Sequence, residues 1–309
     1  MAAVPQRAMT TGEWGLLLLL SLLWGGSFFF VGVAVKELPP LTIVMARVSL
    51  AAALLWLTAP LTGLSPGRIR ANAPDLAVLG LVNNAIPFTL IVWGQTHLAS
   101  GLASILNATT PVITVVAAHF FTASERLNAR KLAGALCGFV GVAWMIGPDL
   151  TRGVADNFAA ELAVLGAALS YALASIFAQR FRRLGLAPIE VAAGQVAASS
   201  LMLIPLAFVV DRPWDLPAPS LAVIGAVIAI ASLSTALAYI VYFRILAGAG
   251  ATNVVLVTLL APASSILLGA AILGERLAAR HFVGLALVAL GLAFIDGRLP
   301  SALWRRARR

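Results

Sequence analysis

The sequence predicts an all-α integral membrane protein: ten transmembrane helices forming two inverted five-helix repeats, with both termini cytoplasmic. Three observations predict it. The 309 residues are 61% hydrophobic and only 11% charged, where a soluble domain carries about 25% charged residues. The 49 residues from Leu76 to Ser124 contain no Asp, Glu, Lys or Arg. One span takes about 20 residues, so this stretch holds two helices joined by a tight turn. Finally, the stretch His97 to Gly147 is written again from Gly248 to Gly297. Closed barrels are excluded, because they alternate polar and apolar residues and these runs do not.

Residues 1–13 read as a cytoplasmic tail. The apolar run from Trp14 to Val35 is too long for a signal-peptide core, so it reads as a retained first helix. Further spans are expected at 41–61, 75–95, 98–121, 130–147, 158–180, 188–210, 219–243, 249–273 and 280–297. Pro39-Pro40, Ser65-Pro66-Gly67, Gly147-Pro148-Asp149 and Pro217-Ala218-Pro219 mark the turns between them. Repeat 1 is 14–147, a connecting loop is 148–157, repeat 2 is 158–297, and 298–309 is a basic cytoplasmic tail.

The internal match is specific. Pro111 aligns with Pro262 at an offset of 151. Glu125-Arg126-Leu127 then meets Glu275-Arg276-Leu277, and Gly134 and Gly141 meet Gly284 and Gly291. In the earlier parts of the halves, Glu13, Ser27, Pro40 and Arg47 meet Glu161, Ser175, Pro188 and Gln195 at an offset of 148. Five spans per copy force opposite orientations, the geometry that yields two oppositely open states.

Fifteen of the 21 Lys and Arg residues fall on the side holding the termini, five on the other side, and Arg47 lies within a span. The positive-inside rule therefore makes the termini cytoplasmic. The net charge of +9 sits in short loops and the terminal arginines, so it does not signal nucleic acid. The single cysteine, Cys137, lies within a span and reads as a small core thiol, with no intrachain disulfide possible. Two Lys against 19 Arg, with abundant Ala and Gly, suggests a GC-rich bacterial genome and hence a bacterial inner membrane.

Several residues are candidates for substrate contact. Pro111 and Pro262 have no N–H to give the carbonyls of Asn107 and Thr258, which are themselves repeat equivalents. Carbonyls freed at membrane depth must find a side chain, water or ligand. The prolines are therefore read as a paired hinge beside polar lining, against the alternative of two static kinks. Arg47 either receives a substrate carboxylate or bonds to backbone and snorkels, since it lies seven residues past Pro40, roughly 10 Å deep. Of Asn83 and Asn84, about 100° apart on a helix, one faces a cavity and the other a helix; Asn84 is taken as the lining residue. Ser27, Tyr171, Ser175, Gln195 and Tyr239 are further polar candidates, and Trp24 is an aromatic one, each against a plain packing role. Gly134-x-x-x-Gly138 reads as a close helix contact.

In order, spacing and duplication, these residues resemble the drug/metabolite transporter superfamily, in particular its EamA-type ten-helix members. The resemblance rests on Trp24-Gly25-Gly26-Ser27-Phe28, on Pro40 with Arg47, and on Thr96-His97-Leu98-Ala99-Ser100-Gly101 followed by Pro111, Glu125-Arg126-Leu127 and Gly134. It covers nearly the whole chain. The second copy departs at Gln195 and at Ala172-Leu173-Ala174-Ser175. The resemblance implies an exporter of amino acids, their relatives or other small metabolites, closest to bacterial exporters of amino acids including aromatic ones, with a cavity between the halves. No Asp or Glu is placed in mid-span, which favours a neutral or zwitterionic solute and facilitated diffusion or exchange. The alternatives are a proton-coupled drug or metabolite pump, and a carrier of sugar-phosphates or nucleotide-sugars. The latter requires several cavity cations where only Arg47 is available. An intramembrane enzyme would require a nucleophile, base or metal constellation, and neither HExxH, a phosphate loop nor a pair of mid-span carboxylates is present. No cofactor is implied; the expected partners are a small-molecule substrate and membrane lipid, with a monomer the working expectation.

Overall fold

The computed structural model describes residues 9–121, 129–146, 157–264 and 279–296, and all their regular structure is helical. We number the main helices α1 (Thr11–Ala34), α2 (Pro40–Leu57), α3 (Ala73–Gln95), α4 (Ser100–Phe121), α5 (Ala129–Ile146), α6 (Phe158–Arg183), α7 (Pro188–Val210) and α8 (Leu221–Ala249). The helical stretch within 251–264 is α9, and α10 is Ala279–Asp296. Seven of these, α1–α4 and α6–α8, are long and apolar enough to cross a membrane. The apolar helices α5, α9 and α10 fall on the three remaining expected spans. The Glu-Arg-Leu triplets at 125–127 and 275–277, the turn at 147–149, most of the connecting loop, the end of the ninth span and the arginine tail lie outside the described residues.

Local chemistry sets the helix ends. The Thr10 hydroxyl accepts from the Glu13 N–H at 3.2 Å while Glu13 accepts from the Thr10 N–H at 2.7 Å. This reciprocal cap starts α1 three residues before the expected Trp14. The equivalent prolines Pro40 and Pro188 occupy the first positions of α2 and α7, where a missing N–H costs nothing. The helix α2 stops at Leu57, short of the expected 61; a separate short helix, Ala59–Thr62, carries Pro60 in its first turn. The helix α8 instead runs six residues past the expected 243 until Gly250, at φ +87°, ends it. Arg244, expected in a loop, therefore stands on α8.

The halves pack with opposite sense. A Cβ on Gly134 would lie 2.7 Å from the Gly291 carbonyl, and one on Gly141 would lie 2.8 Å from that of Gly284. Residue numbers rise along α5 as they fall along α10, so the helices are antiparallel. Each glycine also meets the repeat equivalent of the other, as a two-fold contact between inverted copies requires. The contact between α2 and α7 shows the same sense: Thr42 donates to Asp211 at 2.7 Å through its N–H, and Ser49 meets Ser200 at 2.7 Å. Loop contacts divide the molecule into two ends. At one end Asp75 pairs with Arg180 at 3.0 Å, and Arg68 pairs with Glu190 at 3.5 Å. At the other, Ser220 donates to Glu37 at 2.7 Å and Asn157 donates to the His97 carbonyl at 3.3 Å. These are the groupings of connections that the alternating spans predict. The outer faces are apolar, as at Phe120, Leu201 and Leu221, and suit lipid contact.

Two π-helical turns interrupt the central helices, Leu81–Ala85 in α3 and Ser232–Leu237 in α8. At the offset of 151 that joins Pro111 to Pro262, they are repeat equivalents, and Asn83-Asn84 corresponds to Ser234-Thr235. The first turn is followed by Pro87, which leaves backbone carbonyls unserved. The hydroxyls of Ser170 and Tyr239 reach Val82 O at 2.6 Å and Asn83 O at 3.1 Å. The second has no proline, and there Trp24 and Arg47 from the other half reach Ser234 O at 3.2 and 3.3 Å.

Candidate functional site

A cavity between the halves is walled by α1, α2, α3, α4, α6, α8 and α9. From α1 come Trp24, Ser27, Phe28 and Val31, one stripe of the helix. The helix α2 gives Arg47; α3 gives Asn83, Phe88, Ile91 and Gln95; α4 gives Asn107 and Thr110. Tyr171, Tyr242, Val255, Thr258 and Ala261 complete it. The empty space, its open part included, is ≈ 710 Å³.

Among the described residues, Arg47 is the only charged one on this wall, and it is 5% exposed. It does not snorkel. Its Nε donates to Thr235 Oγ1 at 2.7 Å, its Nη2 donates to Ser234 O at 3.3 Å, and its guanidinium carbon stands 3.6 Å from the centroid of the Phe88 ring. The fork is thus fixed on one side by the π-turn of α8 and backed by an aromatic face. No carboxylate pairs with it among the described residues. Trp24, Phe88, Tyr171, Tyr239 and Tyr242 form one connected aromatic cluster, with Phe88 stacked on Tyr239 at 6.4 Å and Trp24 against Tyr242 at 5.5 Å.

The structure places Trp24, Ser27, Arg47, Asn107, Tyr171 and Thr258 on the wall, and four expected lining residues elsewhere. Asn84 is fully buried; its Nδ2 donates to Ser199 at 2.7 Å and its Oδ1 accepts from the Tyr239 hydroxyl. It clamps α3 to α7 and α8, and Asn83 takes the cavity side. Gln195 accepts from Asn83 Nδ2 at 3.0 Å, so it orients a lining residue from behind. Ser175 donates to the Ala172 carbonyl of its own helix at 2.8 Å. Tyr239 spends its hydroxyl on the Asn84 clamp.

Pro111 and Pro262 are both buried. The Asn107 carbonyl that Pro111 leaves free is taken by the Thr110 hydroxyl at 2.5 Å, just after a turn at 108–109 breaks α4. In α9 the turn falls at 255–256, six residues before Pro262, where Thr258 donates to Val255 O at 2.8 Å. The irregular turns are thus not strict equivalents, because the hydroxyls that compete with the helix for carbonyls differ in position. The residues facing the cavity, Asn107 and Thr258, are equivalents.

Comparison with known proteins adds the family. The model of the EamA-like transporter family matches twice, over residues 13–147 and 158–296. The chain belongs to the EamA-like transporter family. Among its relatives, YoaV of Bacillus subtilis, an uncharacterized transporter, is 22% identical over 88% of this chain and 92% of its own length. YedA of Escherichia coli, an uncharacterized inner membrane transporter, is 26% identical over 91% of this chain and 89% of its own. A solved crystal structure shares the fold with a TM-score of 0.75 at 18% identity, covering 93% of this chain and 98% of the other. This EamA protein is therefore a membrane transporter, and the cavity is its candidate substrate site.

Sequence reasoning passed over Phe88, Gln95, Thr110 and Tyr242. Gln95 ends its expected span and Tyr242 nearly ends its own, so both read as interfacial. Only the length of α8 brings Tyr242 inward. Phe88 carries no polar signal, although it follows Pro87 and the two asparagines.

Proposed function

We propose that this EamA-family transporter exports amino acids or related small zwitterionic or neutral metabolites across a bacterial inner membrane. It does so by alternating access, as a facilitator or exchanger, with both termini cytoplasmic. The observation that carries the reading is Arg47, the one cation among the described residues of an otherwise neutral, aromatic and amide-bearing wall. A guanidinium held on one edge presents its remaining N–H groups to a carboxylate. The rings of Trp24, Phe88 and Tyr171 suit an apolar or aromatic side chain. A phosphate-bearing substrate asks for more than one cation, which argues against sugar-phosphates. The inner-membrane placement is supported by the relative YedA of Escherichia coli, an uncharacterized inner membrane transporter.

The test is uptake of a labelled amino-acid panel into proteoliposomes, with and without an imposed pH gradient. Saturable uptake without the gradient supports the reading. Uptake only with the gradient makes the protein a proton-coupled pump, and no uptake of any amino acid removes the substrate class.

A further inference from the structure

Two acceptors at the cavity wall have no donor. Gln95 and Asn107 are each 6% exposed, and both stand on the wall. Gln95 Oε1 and Asn107 Oδ1 are buried, and neither has a hydrogen-bond partner among the described residues. For Gln95 the orientation of the amide is fixed by its neighbours. Its nitrogen lies 3.0 Å from the Phe28 carbonyl, which only accepts, and 2.8 Å from the Ser100 hydroxyl. The nitrogen is therefore the donor end, and the oxygen is the end left over. Asn107 offers the second oxygen from the first residue before the break in α4, where its backbone carbonyl is already taken by Thr110. Buried acceptors without donors are rare in folded proteins, and two of them on residues of one cavity wall point to a missing donor.

The wall is thus dipolar. Beyond the two N–H groups bonded to α8, Arg47 has donors with no acceptor among the described residues, and Gln95 and Asn107 have acceptors with no donor there. We propose that Gln95 and Asn107 receive the ammonium group of a zwitterionic substrate whose carboxylate meets Arg47. This rests on the reading of Arg47 given above. Serving both ends selects a solute that carries an ammonium and a carboxylate close together. N-acylated acids offer one amide N–H in place of three ammonium donors, and amino esters offer no carboxylate. Free hydroxy acids bring a single O–H. All three leave part of the wall unpaired, and a site with buried polar groups discriminates strongly against such analogues.

The experiment measures binding of three probes to the purified full chain: a free amino acid, its N-acetyl derivative and its methyl ester. The amino acid is drawn from those the transport panel identifies, with phenylalanine as the starting probe. Wild type, Gln95→Leu, Asn107→Leu and Arg47→Gln are compared, with Gln95→Glu as a variant that keeps the acceptor. The expected result is that Gln95→Leu and Asn107→Leu each weaken the free amino acid by about tenfold or more while leaving the N-acetyl derivative within about twofold. Gln95→Glu retains the preference for the free amine. Arg47→Gln instead erases the distinction between acid and ester. Unchanged discrimination against the N-acetyl derivative in both leucine variants overturns the proposal while the substrate reading stands. Binding of the ester as tightly as the acid by wild type, abolished by Gln95→Leu, keeps the ammonium site and removes the role of Arg47. Wild-type protein that binds none of the amino acids sinks both. Should a leucine variant fail to fold, Gln95→Met and Asn107→Ser take its place with the same readout.

Discussion

Arg47 and Asn84 show how differently two polar side chains at membrane depth resolve the same problem. Arg47 meets it with partial satisfaction: two of its nitrogens bond to the π-turn of α8, and the rest of the fork faces the cavity wall. Arg47→Gln is expected to raise the half-saturation constant for a carboxylate substrate by roughly tenfold to a hundredfold, the size of a hydrogen-bonded charge contact. Arg47→Lys restores charge without the fork and recovers only part of the loss. Uptake kinetics in proteoliposomes check both. Asn84 is fully satisfied instead, between Ser199 and Tyr239. Tyr239→Phe leaves its oxygen unpaired and is expected to cost about 1–3 kcal/mol of stability, read by unfolding in detergent. Its effect on half-saturation should stay far below that of Arg47→Gln, because the hydroxyl serves the clamp. Glu37 is a residue-scale case outside the membrane. It accepts from the Ser220 N–H at 2.7 Å and the Ser220 hydroxyl at 2.8 Å, which hold its carboxyl below the usual range. A depressed folded value means the contact stabilises above the unfolded carboxylate pKa and is lost as pH falls through the folded one. Thermal stability should therefore drop on acidification below about pH 4, and less so in Glu37→Gln.

At the scale of elements, the antiparallel crossing of α5 and α10 is a close one. The glycines there admit backbone against backbone, and a Cβ on Gly134 would meet both the Gly291 carbonyl and the Ile295 side chain at 2.7 Å. A carbonyl cannot swing aside as a side-chain tip can, so the helices must part. Gly134→Ala is expected to destabilise by about 1–3 kcal/mol, the usual cost of overpacking, despite the better helix propensity of alanine. Gly12→Ala, where a Cβ meets nothing within 4 Å, is the matched control. The sequence made this contact legible through Gly134-x-x-x-Gly138, whose two glycines both approach Gly291. It also made the spans and their shared ends legible, because lipid forces apolar runs of fixed length and the loops are short. The prolines pointed to Asn107 and Thr258, which stand on the wall. Less was legible where two residues of one chemistry adjoin. Nothing in the pattern separates Asn83 from Asn84, since a π-turn changes the rotation between them and the rest of α3. That turn shows in the sequence as Pro87 in α3, but its counterpart in α8 has no proline and no comparable mark.

On the scale of the whole molecule, the four expected lining residues that lie off the wall acquire a meaning. Ser175 and Gln195 are the repeat equivalents of Ser27 and Arg47, and Tyr239 is that of Phe88; all three of those partners are on the wall. The exception, Asn84, is equivalent to Thr235, and neither lines it. Asn107 with Thr258, Thr110 with Ala261 and Ile91 with Tyr242 are equivalents that both line it. The wall is therefore a constant part contributed by both halves plus a part drawn mainly from the first half. Exchange of conformation between inverted halves predicts an opposite state whose wall keeps the constant part and replaces Ser27, Arg47 and Phe88 with Ser175, Gln195 and Tyr239. The lone cysteine makes this measurable, since Cys137→Ala gives a thiol-free chain. In that background Ser27→Cys and Ser175→Cys are each treated with a membrane-impermeant thiol reagent from either face of oriented vesicles. Labelling of Ser27→Cys from one face and Ser175→Cys from the other is the expected outcome, with Thr258→Cys reached from both. Labelling of both serine positions from the same face would contradict exchange of the halves. Because Gln195 lacks the charge of Arg47, exchange also makes the two faces unequal toward a carboxylate. The half-saturation constant should be lower on the face where Ser27→Cys is labelled, and Arg47→Gln should bring the two faces closer together.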